Sequence, residues 1–453
     1  MERAAEAELL GKESEGRLLL RLAPPIMLAQ LIQGIYNIVD SFFVGRYSGE
    51  GLTALSVIFP LQLIICALAV GTGVGANTYM SRLYAQGEAK RAEKTAGMGL
   101  LLALGTWALF ALFALAIMRP YAMTGARSPR AIEDAVTYGS IVCAGSLGCF
   151  LESMFSKIHQ SHGNMRLPMV AQIAGAAANI VLDPLLIFGD LGLPAMGVAG
   201  AALATVIGQA ISALITARGA LYRPPHPREW SQYARPIYLL GYASILMQAL
   251  YTVYIFILNA ILATFLDEAV TVLGLYYKLQ AFFFLPINGL QVCIVPILSY
   301  NYTQKAYKRC EKIMLYSFAF ALVLMAVGLV CFVFFPLPLL RLFSDSVIVW
   351  AIGTNAFPRI GCGFLFAVFA LILPVFFQAI GRGVTSLMLS LCRQILCLPT
   401  LFFIFSRFSL ELTWVAFPIS EGITAAVGLI LYIRTLRRWQ KDTETVCETP
   451  QNG

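Results

Sequence analysis

The chain has 453 residues, of which 59% are hydrophobic and only 12% are charged, and its formal net charge is +8. Soluble domains carry roughly 25% charged residues, so this composition excludes a soluble fold. Runs such as 100–118 do not alternate apolar and polar residues as the strands of a membrane barrel would, so the sequence predicts an all-α polytopic membrane protein.

Twelve apolar spans follow one another along the chain. Each is long enough to cross a hydrocarbon core of about 30 Å as a helix, which satisfies the backbone hydrogen bonds internally. The predicted spans are 18–45, 53–80, 95–118, 132–156, 167–188, 196–217, 236–264, 270–298, 313–336, 346–379, 384–405 and 413–433.

The positive residues between the spans predict the orientation. With the N-terminus in the cytoplasm, the inner segments hold 23 Lys and Arg residues when Arg21, at the start of the first span, is counted with them. The outer segments hold six, which are Arg46, Arg119, Arg127, Arg130, Arg341 and Arg407. By the positive-inside rule, we predict a multi-pass protein of the inner (cytoplasmic) membrane, surrounded by lipid, with both termini cytoplasmic. Since the orientation in the membrane explains where the basic residues lie, we predict no nucleic-acid partner.

The second half of the sequence repeats the first at a constant offset of 218 residues, without a gap. Many of the identical pairs are polar or glycine, which shared hydrophobicity does not explain. Examples are Gln62 with Gln280, Gly71 with Gly289, Ser81 with Ser299, Arg91 with Arg309 and Gly163 with Gly381. Because each half has an even number of spans, both enter the membrane in the same direction, as in transporters whose path lies between two parallel repeats.

The repeat divides the chain into predicted domains. They are a cytoplasmic N-terminal tail at 1–17, a six-helix lobe at 18–217, a cytoplasmic linker at 218–235, a second six-helix lobe at 236–435 and a cytoplasmic C-terminal tail at 436–453. We expect alternating access by rocking of one lobe against the other. Since one chain supplies both lobes, we expect a monomer.

Ionisable residues at membrane depth cost at least a few kcal/mol each and are candidates for function. At about 1.5 Å per residue, Asp40 in the first span and Asp183 in the fifth reach a similar depth in the outer half of the membrane. Asn179 shares a helix face with Asp183, and Thr205 of the sixth span supplies a hydroxyl. Such oxygens suit a hard cation such as sodium, or a shared proton. The alternative is that both carboxylates lie at solvated helix ends, Asp183 being followed by the helix breaker Pro184.

The second lobe carries different polar residues. The repeat partners of the two carboxylates and of Asn179 are not ionised groups, namely Leu258, Leu401 and Cys397. Three charged residues, Lys278, Arg393 and Glu421, instead reach a common depth near the middle of the membrane. They predict a charge network that changes partner between states or, as an equal alternative, a structural ion pair. Glu152 and Lys157 fall toward the cytoplasmic end of their span, where they can snorkel, and receive no role.

Enzymatic functions have little support in the sequence. The glycines at 71–75 are not followed by the lysine of a phosphate-binding loop, and close helix packing explains them better. The three histidines, His159, His162 and His226, fall at or near the cytoplasmic edge. We therefore predict no enzyme, no cofactor and no metal other than a sodium site at Asp40, Asn179 and Asp183.

Several segments taken together resemble the multidrug and toxic compound extrusion (MATE) family. They include Pro24 to Arg46 with Gln30, Tyr36 and Asp40, then Asn179 to Phe188, Gly197 to Ala202 with Thr205, and Tyr277 to Tyr302. The resemblance implies a V-shaped pair of lobes that exports cationic or amphipathic compounds in exchange for sodium or protons. It also implies a cation site at Asp40, Asn179, Asp183 and Thr205. We expect Gln30 and Tyr36 to line a cavity.

The functional prediction is a cation-coupled antiporter that exports small organic cations or multidrug compounds. The alternative is a flippase for lipid-linked saccharide precursors, which needs a strongly basic cavity for a diphosphate. The carboxylates of the first lobe favour the antiporter.

Overall fold

The computed structural model describes residues 2–125, 128–189, 192, 194–341 and 346–448. Arg127, counted above among the outer positive residues, and the end of the predicted C-terminal tail at 449–453 lie outside the described residues.

Helices make up the regular structure of the described residues. In chain order they are α1 Glu2–Lys12, α2 Glu15–Tyr47, α3 Gly49–Ala85, α4 Ala89–Gly125, α5 Pro129–Gly145, α6 Leu147–Ser161, α7 Arg166–Phe188, α8 Val198–Ala217, α9 Trp230–Leu262, α10 Asp267–Thr303, α11 Tyr307–Phe334, α12 Pro336–Arg341, α13 Val347–Gly361, α14 Phe364–Ala379, α15 Gly383–Leu391, α16 Leu398–Ser406, α17 Leu410–Thr413 and α18 Ala416–Glu448. A 3₁₀ turn, Pro227–Glu229, precedes α9, and a π-helical segment, Cys392–Cys397, joins α15 to α16.

The described residues contain eleven helical segments that are long and apolar enough to cross a membrane. The number is twelve when α13 and α14, which are bent by 55° at their junction, count as one span. The predicted twelve-span, all-α architecture is confirmed. The boundaries differ in places, since α9 begins at Trp230 and therefore takes in part of the segment predicted as linker.

The repeat found in the sequence is present in the hydrogen bonds. In the first half, the Ser81 hydroxyl on α3 donates to the carbonyl of Ser161 at 3.2 Å. In the second half, the Ser299 hydroxyl on α10 donates to the carbonyl of Ala379 at 2.9 Å. The donor and the acceptor in the second half are the repeat partners of those in the first half. The two halves therefore form the same contact between corresponding helices.

The two halves meet where glycines allow close helix crossings. A Cβ atom on Gly71 of α3 would lie 2.9 Å from the backbone nitrogen of Ile245 on α9. A Cβ atom on Gly289 of α10 would lie 2.6 Å from Cα of Met27 on α2. Met27 and Ile245 are themselves repeat partners, so the two crossings are equivalent. Small residues that let backbones approach are the usual means of helix packing in membranes, which confirms the packing interpretation of these glycines.

Helix α1 and the C-terminal part of α18 lie at one face of the molecule, which we call the terminal face. Trp439, near the C-terminal end of α18, stacks on Tyr307 with ring centroids 4.8 Å apart. The N-terminal helix α1 reaches the same region, because Asn301 Nδ2 donates to the carbonyl of Leu10 at 2.9 Å. The sequence did not predict α1 as a docked helix.

The halves are joined at the terminal face. Arg82 of the first half donates from Nη2 to the carbonyl of Ala379 in the second half at 3.0 Å. The side-chain amide of Gln304 donates to the carbonyl of Ala85 across the same boundary. Helix α1 bridges the two halves as well, since its Glu6 lies 3.6 Å from His162 while Leu10 accepts from Asn301. The described contacts thus close this face.

Candidate cation and substrate site

The two predicted carboxylates are buried within continuous helices. Asp40 is 8% exposed and lies inside α2, which continues to Tyr47. Asp183 is fully buried, and α7 continues through Pro184 to Phe188. Neither residue lies at a solvated helix end, so the alternative interpretation of these carboxylates is wrong.

Asn179 and Thr205 lie beside Asp183. The Asn179 Nδ2 donates to Asp183 Oδ1 at 3.4 Å and to Thr205 Oγ1 at 3.5 Å, distances that are long for hydrogen bonds. Three buried acceptor oxygens in this group have no hydrogen-bond partner among the described residues, namely Asp40 Oδ1, Asn179 Oδ1 and Asp183 Oδ2. Buried polar groups are normally satisfied, so these oxygens mark a place where a cation or a proton can be held.

Tyr138 on α5 belongs to the same group, although the sequence analysis did not identify it. Its side chain is buried and lies within electrostatic range of both Asp40 and Asp183. The Tyr138 hydroxyl accepts from Gln62 Nε2 at 3.2 Å, which leaves its own proton available for donation. It can therefore stabilise a carboxylate that has lost its proton or cation.

A cavity of about 100 Å³ opens beside Asn179 and Thr205 within the first half. Tyr36 lines it, together with Gln33, Cys66, Cys149, Glu152, Gln172, Gly175, Ala176, Gly208, Gln209 and Ser212. Gln30 is half-buried and lies about one turn beyond Met27, near the crossing of α2 and α10, and it is not among the residues that line this cavity.

Glu152 forms the far end of this cavity. Its Oε1 accepts from the Ser156 hydroxyl at 2.8 Å and from Gln172 Nε2 at 3.3 Å. Lys157, further along α6, is buried and donates instead to Gln160 Oε1 at 2.9 Å. Glu152 was predicted to lie toward the end of its span. It lies instead well inside α6, which continues to Ser161, and it lines a cavity.

The charged residues of the second half separate into a pair and an isolated residue. Arg393 donates from Nε to both carboxylate oxygens of Glu421 at 2.9 Å and from Nη2 to Oε1 at 2.6 Å. Lys278 has an exposed side chain and forms no ion pair within the described part of the chain. The predicted network of three charges is thus a pair, Arg393 and Glu421. Arg393 lies in the π-helical segment, a distortion often found at functional positions.

The donor atoms of the first-half site are oxygens. Across the described ranges, no group of three or more His, Cys, Asp or Glu side chains is placed to hold a metal ion. A site made of two carboxylates, one amide and one hydroxyl instead suits a hard monovalent cation or a proton. Two parallel six-helix repeats with buried ionisable groups in the membrane define a secondary transporter.

A family model carries the identification further. The MatE model matches residues 25–185 and again residues 243–403. The second range begins and ends at the repeat partners of the first, so the family model and the internal repeat divide the chain in the same way. The chain belongs to the MatE family, which confirms the resemblance seen in the sequence.

Curated relatives cover nearly the full chain. The FAD transporter of Shewanella oneidensis is 27% identical over 405 residues, which cover 84% of this chain and 86% of that protein. The multidrug export protein MepA of Staphylococcus haemolyticus is 23% identical over 445 residues, which cover 95% of this chain and 96% of that protein.

The fold has a close match among solved structures. The outward-facing conformation of a multidrug resistance MATE family transporter of the MOP superfamily superposes with a TM-score of 0.89 at 24% identity, over 96% of this chain and 98% of that one. This match confirms the predicted fold of two six-helix lobes, and the halves are called the first and second lobe below.

Proposed function

We propose that the protein exports small organic cations across the inner membrane in exchange for sodium or protons. The coupling ion binds at Asp40 and Asp183, with Asn179 and Thr205 completing the site. The observation that carries the proposal is the group of three oxygens on Asp40, Asn179 and Asp183, which are buried in one lobe of a transporter fold and have no hydrogen-bond partner in the part of the chain that the structure describes. Organic substrate and ion use the same lobe, so the arrival of one favours the release of the other.

The orientation is part of the proposal. The terminal face carries the basic segments that the positive-inside rule assigns to the cytoplasm, and contacts between the lobes close that face. The described conformation then corresponds to the outward-facing state of the transport cycle. We propose that one chain forms the complete path, since both lobes lie in it.

A second candidate substrate is a flavin dinucleotide, because the relative with 27% identity is named a FAD transporter. Lys278 is exposed on α10, and its positive charge suits an anionic ligand. The acidic first-lobe cavity favours a cation instead. It disfavours equally the diphosphate that a lipid-linked saccharide flippase must bind.

Transport in liposomes tests the proposal. Purified protein is reconstituted, and the movement of a fluorescent organic cation, of FAD and of a labelled diphosphate lipid is followed under an imposed sodium gradient and, separately, under a pH gradient. The proposal expects cation movement under one of the two gradients. Movement of FAD or of the lipid, with every organic cation of a varied panel left in place, would contradict it.

A further inference from the structure

Lys278 is a charged residue at membrane depth that the proposed coupling site does not use. It lies eleven residues from the start of α10, or about 16 Å along the helix at 1.5 Å per residue. Its side chain is exposed, and none of the ion pairs among the described residues includes it. Ionisable residues within a membrane span are costly and mark the path of a substrate or an ion, so the position of Lys278 indicates a functional role.

The face of α10 that carries Lys278 is the face that packs on the first lobe. At about 100° per residue, Leu285 and Gly289 lie within about 20° of Lys278 around the helix. A Cβ atom on Gly289 would lie 2.6 Å from Cα of Met27 on α2, and a Cβ atom on Gly34 of α2 would overlap the side chain of Leu285. Lys278 therefore points toward the first lobe and not toward the surrounding lipid.

The two lobes separate along this face with increasing distance from the terminal face. Gly274, one turn from Lys278 toward the start of α10, lies on the same face, and a Cβ atom there would meet nothing within 4 Å. The packing thus changes from backbone contact at Gly289 to open space at Gly274. Lys278 lies seven residues, or about 10 Å, beyond the contact of Leu285 with Gly34. Its ammonium group is therefore exposed in the cleft between the lobes.

Lys278 is the charge that faces this cleft at membrane depth. The two crossings between the lobes are formed by α2 with α10 and by α3 with α9. On the side of the crossings away from the terminal face, the sequences of these helices hold charged residues at the helix ends and, within the spans, only Asp40 and Lys278. Asp40 is 8% exposed and lies within electrostatic range of Tyr138 inside the first lobe. No ion pair joins Asp40 to Lys278 in the described part of the chain, so the cleft wall is positively charged.

The internal repeat shows that the scaffold does not require a charge at this position. The repeat partner of Lys278 is Pro60, which lies on α3, the helix of the equivalent crossing. Two residues further along, Gln280 and its partner Gln62 are identical, so the two halves correspond closely here. A lysine that one lobe keeps and the other replaces by an uncharged residue is not needed for packing.

We infer that Lys278 binds an anionic group of the exported compound, either a carboxylate or a phosphate. An exposed ammonium group binds such groups as a point charge. A compound with positive charge alone is repelled by Lys278 as it leaves through the cleft, whereas a compound with both charges is held there. The substrates are therefore zwitterions, with a carboxylate or phosphate in addition to the cationic group. Their cationic group rests on the proposed export of organic cations, but the anion site does not.

The test measures equilibrium binding of two fluorescent dyes to the purified full-length protein in detergent, by fluorescence polarisation with empty micelles subtracted. Rhodamine B carries a free carboxylate, and its ethyl ester shares the cationic ring system but lacks the anionic group. We expect wild type to bind rhodamine B at least about fivefold more tightly than the ester, because the carboxylate pairs with Lys278. In Lys278→Gln the preference should fall below about twofold. In Lys278→Arg, which keeps the charge, it should persist.

Equal binding of the two dyes by wild type, or no binding of rhodamine B, would overturn the inference. A preference that Lys278→Gln leaves unchanged would overturn it as well. Lys308→Gln, which changes an exposed lysine of α11 near the terminal face, is the matched control and should behave like wild type. Preference for rhodamine B without export of either dye from liposomes would count against the proposed function alone. Export of the ester without that preference would count against the anion site alone.

Discussion

Gly175 of the first lobe and Arg393 of the second lobe occupy the same position of the two repeats. Gly175 lines the first-lobe cavity, whereas Arg393 fills the corresponding place with a side chain that binds Glu421 through both carboxylate oxygens. The repeat partner of Glu421 is Leu203, so the ion pair exists in one lobe alone. The second lobe thus uses this position for an internal bond, and the first lobe uses it for open volume.

This relationship predicts how the second lobe responds to substitution. Glu421→Gln leaves Arg393, whose side chain is only 13% exposed, without its counter-charge and should destabilise the protein by up to about 3 kcal/mol, seen as a lower Tm in a detergent melt. The double variant Arg393→Met with Glu421→Leu removes both charges and should recover most of the loss. A double variant no more stable than Glu421→Gln would contradict the interpretation of a self-contained structural pair.

The glycine crossings between the lobes give a second prediction. Gly289→Ala places a Cβ 2.6 Å from the backbone of Met27, so it should force the lobes apart and reduce transport by at least about tenfold. Gly274→Ala on the same helix α10 meets nothing within 4 Å and is the matched control. Initial transport rates in liposomes compare the two variants. Equal rates would show that the close crossing is not needed.

Helix α1 gives a third prediction, because it bridges the lobes at the terminal face. Deletion of residues 2–12 removes the contacts of Glu6 with His162 and of Leu10 with Asn301. The face should then open more often. A cysteine introduced at the buried Ala379 should therefore react with a maleimide several-fold faster in the deletion variant than in the full-length chain, once the reaction of the native cysteines is subtracted.

The control for this deletion neutralises an exposed pair on α1. Glu8 and Lys12 are exposed at 53% and 74%, and surface pairs of this kind contribute little to stability. The variant Glu8→Gln with Lys12→Gln should therefore leave the reactivity unchanged. If the deletion has no more effect than this double variant, α1 does not hold the face closed.

The sequence predicted what depends on hydropathy and on position along a helix. The twelve spans, the repeat and the common depth of Asp40 and Asp183 follow from counting residues. Counting does not give the direction in which a side chain points around its helix. Lys278 was therefore predicted to lie in one charge network with Arg393, whereas its side chain is exposed and Arg393 pairs with Glu421. For the same reason, the prediction missed Tyr138.

Packing between distant segments was also beyond the sequence. Glu152 counted as a helix end because its span was predicted to finish at 156, but α6 continues to Ser161. The signal available in the sequence was its repeat partner, Ala370. Where one lobe has a polar residue and the equivalent position of the other lobe has an apolar one, the fold itself does not require the polar side chain. Docking of α1 left no comparable trace in hydropathy.

The central claim is that an ion bound at Asp40 and Asp183 drives export. The most direct test measures ion uptake and organic-cation export in the same liposomes, for wild type, Asp40→Asn, Asp183→Asn and the exposed control Glu133→Gln. We expect wild type and Glu133→Gln to show both fluxes in a fixed ratio, and each aspartate variant to lose both by at least about tenfold, or about 1.4 kcal/mol. Coupled fluxes that persist in Asp40→Asn and in Asp183→Asn would contradict the account.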